Sequence, residues 1–476
     1  MTATLICHLL LVIGFTFRIL LRDDLSPPAR LAWFVIINVL PYFGSIAYFL
    51  FGENDLGNRA NIKSTQVFGE IRAKAGGHMG ASVNTDQLID PLYLAAFRYA
   101  GSINGFHSVD GNRAKLMADS AETTTQMVRD IDAAANYVHV LYYIWLNDQT
   151  GTAVAQALVR AAKRGVVCRA MADGLGSRVL VKSTLWMQMK EAGVQLAVAL
   201  PLNKPIRTML TSRIDLRNHR KITVIDGKIT YCGSRNSADP EFLVKAKYAP
   251  WVDIMLRFEG PVVAQNELLF FSDWMQATDE PFEAFELQTA PIEGGFSAQV
   301  IADGPTGRRG ATPQLFSNLI NCARHELTIS TPYFVPDATV VGALCSAAYR
   351  GVQVTLIFPK VNDSWIVAAA SRSYYRKLLA AGCEIQEFRG GLLHAKTLTI
   401  DGKISLVGSS NLDLRSFDLN YENNILLQDE ATTKAITTRQ ASYISHSDAV
   451  DLEQVLAWPP HRRIWNNVIA TIGPVL

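Results

Sequence analysis

The sequence predicts an α/β protein in which two tandem domains, each a mixed sheet flanked by helices, share one pseudo-two-fold active site behind an apolar helical hairpin. Three observations carry this expectation. An eighteen-residue string that begins at His219 returns 175 residues later at His394, without a gap and with ten identities. Strand-like and helical runs precede both strings in the same order. Two long apolar stretches fill the first fifty residues.

The front of the chain comes first. Residues 3–21 are apolar except for His8 and Arg18, and residues 31–51 carry no charge. Each is about long enough to cross a hydrocarbon core. The polar segment from Arg22 to Arg30 lies between them, and Trp33, Tyr42 and Tyr48 suit an interface. Residues 1–60 therefore read as a transmembrane helical hairpin. With no basic residues ahead and no small-x-small site behind, a cleaved signal peptide is the weaker reading. Arg18, Arg22 and Arg30 face Arg59, Lys63, Arg72 and Lys74 too evenly to fix the orientation.

Composition narrows the class further. A chain of 476 residues exceeds one core and calls for two or more domains. A net charge of +2 argues against a polycation that binds nucleic acid. The six cysteines (Cys7, Cys168, Cys232, Cys322, Cys345, Cys383) are scattered without metal-ligand spacing, which implies no structural zinc and a reducing compartment.

Residues 61–115 read as linker and lead-in, 116–290 as the first domain and 291–476 as the second. In the first, a helix near Glu122–Ala135 precedes the β-run from Tyr137 to Trp145. The next helix closes at Gly165, before the strand Val166–Met171. In the second, the strand from Leu327 to Phe334 is followed by a helix closing at Gly351 and the run Val352–Ile357. A further helix and glycine follow in each, at Gly193 and Gly382. Such alternation argues for βαβ units. The first copy has a longer insert: Gly193 to His219 is 26 residues, against 12 from Gly382 to His394. Its Lys204, Arg207, Met209, Leu210, Arg213 and Arg217 read either as a solvated loop or as a lip meeting anionic headgroups.

Each string has the pattern of a β-hairpin turning at Asp226-Gly227 or Asp401-Gly402. Residues i and i+2 of a strand share a face, so His219 joins Lys221 and His394 joins Lys396. The two aspartates belong to the turns and read better as hairpin residues than as proton carriers. Cleaving a phosphodiester needs a nucleophile, an acid for the leaving alkoxide and positive charge on the non-bridging oxygens. Two histidines can divide the first two tasks near neutral pH. Two lysines, with Ser234, Asn236, Ser409 and Asn411, supply charge and donors for phosphate binding. A single His-x-Lys says little, but two in register with Gly-Ser-x-Asn fourteen residues on are a catalytic pattern.

The two strings resemble the phospholipase D superfamily, whose HxKxxxxD–GSxN signature is complete in both. The closer similarity is to bacterial cardiolipin synthases. It extends through Tyr142-Tyr-Ile-Trp145, Asp173-Gly-Leu-Gly-Ser177, Thr331-Pro-Tyr-Phe-Val-Pro336 and Asn411-Leu-Asp-Leu-Arg-Ser416 to Asn420-Tyr-Glu422. The resemblance implies that His219, Lys221, Asp226, His394, Lys396 and Asp401 form the catalytic set. It implies a phosphohistidine on His219, with His394 as acid and then base. It also implies a downstream carboxylate for each ring: Glu422 for His394, and Asp253 for His219. The implied reaction joins two phosphatidylglycerols into cardiolipin and glycerol, with no metal or other cofactor, at the bacterial inner membrane. The reduced-looking cysteines favour the cytoplasmic side for the catalytic domains. A phospholipase D hydrolase, a phosphatidylserine synthase, a membrane-tethered nuclease and a non-enzymatic scaffold are the other readings at this point.

Overall fold

The computed structural model describes residues 2–23, 25, 27–52, 58–201, 215–282 and 289–471. Lys204, Arg207, Met209, Leu210 and Arg213 of the longer insert lie outside them; Arg217 is inside.

The apolar front folds as Thr2–Leu20, Pro27–Val39 and Pro41–Ala47, followed by a π-turn at Tyr48–Gly52. Tyr48 is buried where these elements meet, with Phe15 and Trp33 edge-on at 5.7 and 5.2 Å. The second apolar stretch is thus not one spanning helix. Pro41 has no N–H to give and its ring opposes the preceding turn, so the helix stops at Val39. Thirteen residues at 1.5 Å each reach about 20 Å, short of a hydrocarbon core of about 30 Å. Among the described residues no helix is long and apolar enough to cross a membrane.

Residues 61–115 contribute most of the helix Asn58–Lys74, the helix Leu94–Asn104 and most of the strand Val109–Leu116. That strand pairs antiparallel with Phe296–Asp303, and the pair is the seam of a sixteen-stranded sheet. Outward from the seam on one side run Met255–Glu259, Ile229–Gly233, Lys221–Ile225, Tyr137–Tyr142, Val167–Asp173 and Gln195–Ala199. The other side repeats the order with Asn420–Gln428, Ile404–Gly408, Thr397–Ile400, Glu326–Ser330, Gln353–Pro359 and Glu384–Phe388, then adds Ser447–Ala449. In each half the three matching outer strands are parallel and the inner ones antiparallel. The expected duplication is therefore a two-fold repeat within one mixed sheet.

Local chemistry sets the helices between parallel strands. Asp148 caps the helix Gln149–Lys163, and Gly165 leaves it at φ +91°. Asp337 and Gly351 do the same for Ala338–Tyr349. These are the side-chain cap and left-handed exit that a crossover helix needs. The helix Val262–Thr278 is buried along nearly its whole length, packed between the first half of the sheet and Asn58–Lys74. Cys168, Cys232, Cys322, Cys345 and Cys383 are all free and buried.

Candidate active site

The chain changes sheet partners at His219 and at His394. Arg217–Asn218 pairs in parallel with Asn420–Tyr421 of the other half, and Lys221–Ile225 then pairs with Tyr137–Tyr142 of its own. Leu392–Leu393 likewise pairs with Trp251–Val252 before Thr397–Ile400 returns to Glu326–Ser330. The His219 amide donates to the Tyr421 carbonyl at 2.9 Å, and the His394 amide to the Val252 carbonyl at 2.8 Å. Each histidine sits at a crossing between the halves, not within a continuous hairpin strand.

The crossing decides the carboxylate partners. His219 Nδ1 lies 2.9 and 3.0 Å from the Glu422 oxygens, and His394 Nδ1 lies 2.6 Å from Asp253 Oδ1. The pairing expected from order in the chain, Glu422 with His394 and Asp253 with His219, is exchanged. The physical reason is that the strand bearing each carboxylate runs beside the other half's histidine segment. Glu422 and Asp253 are both at the site, and each leaves its ring's Nε2 free for chemistry.

The Gly-Ser-x-Asn residues divide into two roles. Ser234 Oγ donates to Asp253 Oδ1 at 2.6 Å, and Ser409 Oγ donates to Glu422 Oε2. Both serines therefore fix the carboxylates, where the sequence suggested phosphate binding. A Cβ on Gly233 would lie 2.2 Å from the Ile254 carbonyl oxygen, and one on Gly408 would lie 2.3 Å from that of Asn423. Only glycine lets the carboxylate strand pass this close. Asn236 Oδ1 accepts from the Ile144 amide at 3.2 Å, and Asn411 Nδ2 donates to Ser416 Oγ at 3.0 Å.

Lys221 and Lys396 donate back to the carbonyls of their own histidines at 2.6 and 2.8 Å. Asp226 and Asp401 do not reach the reacting groups. Asp226, at φ +50°, accepts from the amides of Ala135, Asn136 and Tyr137 at 2.8, 2.7 and 2.9 Å. Asp401, also at +50°, accepts from Arg324, His325 and Glu326 at 2.9, 2.8 and 2.9 Å. Asp226 staples its hairpin turn to the start of Tyr137–Tyr142, and Asp401 staples its turn to the start of Glu326–Ser330. Their place in a catalytic set is corrected to a structural one.

His219, His394, Asn236 and Asn411 line one cavity of about 410 Å³. Arg178, Arg217 and Arg415 add cationic wall, and Tyr143 and Trp251 add aromatic wall. Tyr143 meets the His219 ring edge-on at 4.9 Å, and Trp251 lies 4.6 Å from the His394 ring. Three buried atoms on this wall, Asn411 Oδ1, Asn420 Oδ1 and Trp251 Nε1, have no hydrogen-bond partner among the described residues. Sequence reasoning gave no role to Tyr143, Trp251, Arg415 or Asn420. Tyr143, Arg415 and Asn420 lie in the family-like segments, and Trp251 stands two residues before Asp253. Among the described residues no cluster of His, Cys, Asp or Glu is arranged to hold a metal ion.

The family described as Cardiolipin synthase, PLD-like domain matches residues 127–249 and 316–443. The Phospholipase D-nuclease N-terminal family matches residues 10–53. Cardiolipin synthase A of Erwinia tasmaniensis is 36% identical over 470 residues, covering 97% of this chain and 94% of its own. Cardiolipin synthase A of Yersinia pseudotuberculosis is 36% identical over 477 residues, covering 98% and 96%. The chain belongs to the cardiolipin synthase family of phospholipase-D-like enzymes. Phosphatidylserine synthase from Haemophilus influenzae Rd KW20 shares the fold, with a TM-score of 0.56 at 15% identity over 76% of this chain and 95% of that one.

Within this cardiolipin synthase site the two rings differ electrostatically. Burial drives the His219 imidazole far below its ordinary pKa, helped by Lys221, Lys396 and His394. Burial lifts Glu422 to about 7, against Lys221 and the bonds from Ser409 and Asn420. Burial would raise Asp253 as well, but His394, Lys396 and Ser234 outweigh it and hold the carboxyl well below its usual range. His394 is lowered by burial and Lys396, with Asp253 working against them. Burial brings Lys221 down to about 7 and Lys396 to about 8.

Proposed function

We propose that this enzyme is a membrane-bound phosphatidyltransferase that makes cardiolipin and glycerol from two phosphatidylglycerol molecules through a phosphohistidine. The observation that carries the reading is the pair of rings on one cavity, each with Nδ1 held by a carboxylate from the opposite half. In the proposed cycle His219 Nε2 attacks phosphorus and the phosphorus–oxygen bond to the headgroup glycerol breaks. His394 gives its proton to the departing oxygen. A glycerol hydroxyl of the second phosphatidylglycerol then returns a proton to His394 and attacks phosphorus, and the phosphorus–nitrogen bond breaks. Bond energy is kept in the covalent intermediate, so the exchange needs no nucleotide.

The electrostatics support this division. The depressed His219 is a neutral nucleophile, while an ionised Asp253 favours a proton on His394. Asn411 Oδ1 and Asn420 Oδ1 are acceptors suited to the hydroxyls of a glycerol headgroup. Residues 116–290 and 291–476 act as the two halves of one site. The apolar surface of the front helices, with Leu10, Phe17, Leu31 and Phe43 exposed, supports membrane attachment.

The test is incubation of the purified, detergent-solubilised protein with phosphatidylglycerol labelled in its headgroup. One glycerol released per cardiolipin formed is expected. Phosphatidic acid as the main product would make the enzyme a hydrolase and overturn the proposal.

A further inference from the structure

Large apolar side chains border the mouth of the catalytic cavity, and both halves contribute them. From the first half, Leu243 is 79% exposed and Val244 68%. From the second, Val361 is 56% exposed and Trp365 62%. The latter two flank Asp363, which accepts from Lys245 Nζ at 2.5 Å and from the Tyr333 hydroxyl at 2.8 Å, all three on the cavity wall. Trp365 stacks on Trp465 at 5.9 Å. The helix that carries Trp465, Pro460–Thr471, opens with His461, Arg462 and Arg463 and exposes Ile464, Trp465 and Val468. Single exposed apolar residues are ordinary, but an apolar group of this extent beside a site mouth calls for an occupant.

We propose that this rim and the helix Pro460–Thr471 form an interfacial surface that seats the cavity mouth on an anionic bilayer. The headgroup then enters past Lys245 and Asp363 while the acyl chains remain in the membrane. The proposal rests on the phospholipid substrate argued above. A bilayer is favoured as occupant because a short helix with cationic and apolar residues matches an anionic interface. The surface is also continuous with the cavity, as a donor and acceptor that both stay in the membrane require.

The rim is connected to the chemistry. Phe242 precedes Leu243 and Val244 at φ +37°, a left-handed conformation unfavourable for a bulky residue. Its ring lies 4.0 Å from Trp251, which lies 4.6 Å from His394. A rim displaced by lipid therefore acts on the proton donor through the tilted Phe242 and Trp251 rings.

The experiment compares two substrates for the full chain: long-chain phosphatidylglycerol in phosphatidylglycerol–phosphatidylcholine vesicles, and short-chain phosphatidylglycerol dispersed as monomers. Leu243→Asp and Val468→Asp should each lose about tenfold or more in vesicle turnover and stay within about twofold on the monomers. Tyr349→Asp is the control. It is also strongly exposed but lies near the opposite end of the strand Gln353–Pro359 from the mouth, and it should change neither rate. Equal losses on both substrates, no vesicle loss, or the same vesicle loss in Tyr349→Asp would each overturn the surface. A wild-type protein that makes cardiolipin from neither substrate overturns the function instead. As a second measurement, acyl-brominated lipid should quench wild-type tryptophan fluorescence more than that of Trp365→Phe; equal quenching overturns the seating.

Discussion

The His219–Glu422 and His394–Asp253 pairs use the same bonds in different surroundings. Each ring offers Nδ1 to a carboxylate that also takes a serine hydroxyl. Two residues before Asp253 stands Trp251, lying on the His394 ring; two before Glu422 stands Asn420, whose amide donates to Glu422 at 3.1 Å. Glu422 is raised to about 7 and Asp253 is held low. A two-fold repeat has thus kept its geometry while separating its proton affinities, as the proposed division into one nucleophile and one acid requires.

The largest test of that contrast removes the rings. His219→Ala and His394→Ala should each lower cardiolipin synthesis by about 10⁴-fold or more. The two should differ with a phosphatidyl ester of p-nitrophenol, whose leaving group needs no acid. His394→Ala should still become labelled on protein, while His219→Ala should not. A label mapping to His394 in the wild type would reverse the assignment.

Next come the carboxylates. Asp253→Asn removes a charge that favours the His394 cation and should cost about 10²-fold in kcat. Glu422→Gln replaces a carboxyl that is already partly protonated near neutrality and should cost about tenfold. Equal losses measured at pH 7 would erase the distinction.

The same variants should differ in the sign of their pH dependence. Glu422 binds its proton more tightly folded than unfolded. The stability it contributes is therefore present below its unfolded pKa of about 4.5 and is lost as pH rises through about 7. Glu422→Gln should accordingly gain in Tm relative to wild type between pH 5 and pH 8. Asp253 is shifted downward, so its contribution is present above the ordinary carboxylate range and lost as pH falls through its folded value. Asp253→Asn should trail wild type most at pH 6 to 8 and recover as pH drops below about 4. Thermal unfolding across pH reads both, and parallel curves would refute the contrast.

The smallest catalytic effect belongs to the turn aspartates. Asp226→Asn and Asp401→Asn each weaken three amide bonds and should cost about 1–3 kcal/mol of stability, alike in both halves. Turnover per folded molecule should remain within about twofold of wild type, because neither side chain reaches the cavity. A loss of turnover without a loss of Tm would return these residues to the chemistry.

Much of this was legible in the sequence for local reasons. The Asp-Gly pairs announce tight turns, and Asp226 with Gly227 and Asp401 with Gly402 all have positive φ. The glycines after the crossover helices mark their ends. The carboxylate pairing was not legible, because 203 residues separate His219 from Glu422 and order in the chain points to the nearer candidate. The serine role was hidden for the same reason: Ser409 reads as a free donor until the Asn420–Gln428 strand lies beside it. In the second apolar stretch, composition suggested a span while Pro41 dictated a break.

The exchange of carboxylates has a consequence for how such a chain can change over generations. A substitution at residue 253 alters the imidazole of the other half, and one at residue 422 alters that of the first. Neither half can be retuned, or borrowed from another chain, without resetting the ring it does not encode. The duplicated halves are bound into a single heritable unit by two histidine–carboxylate pairs.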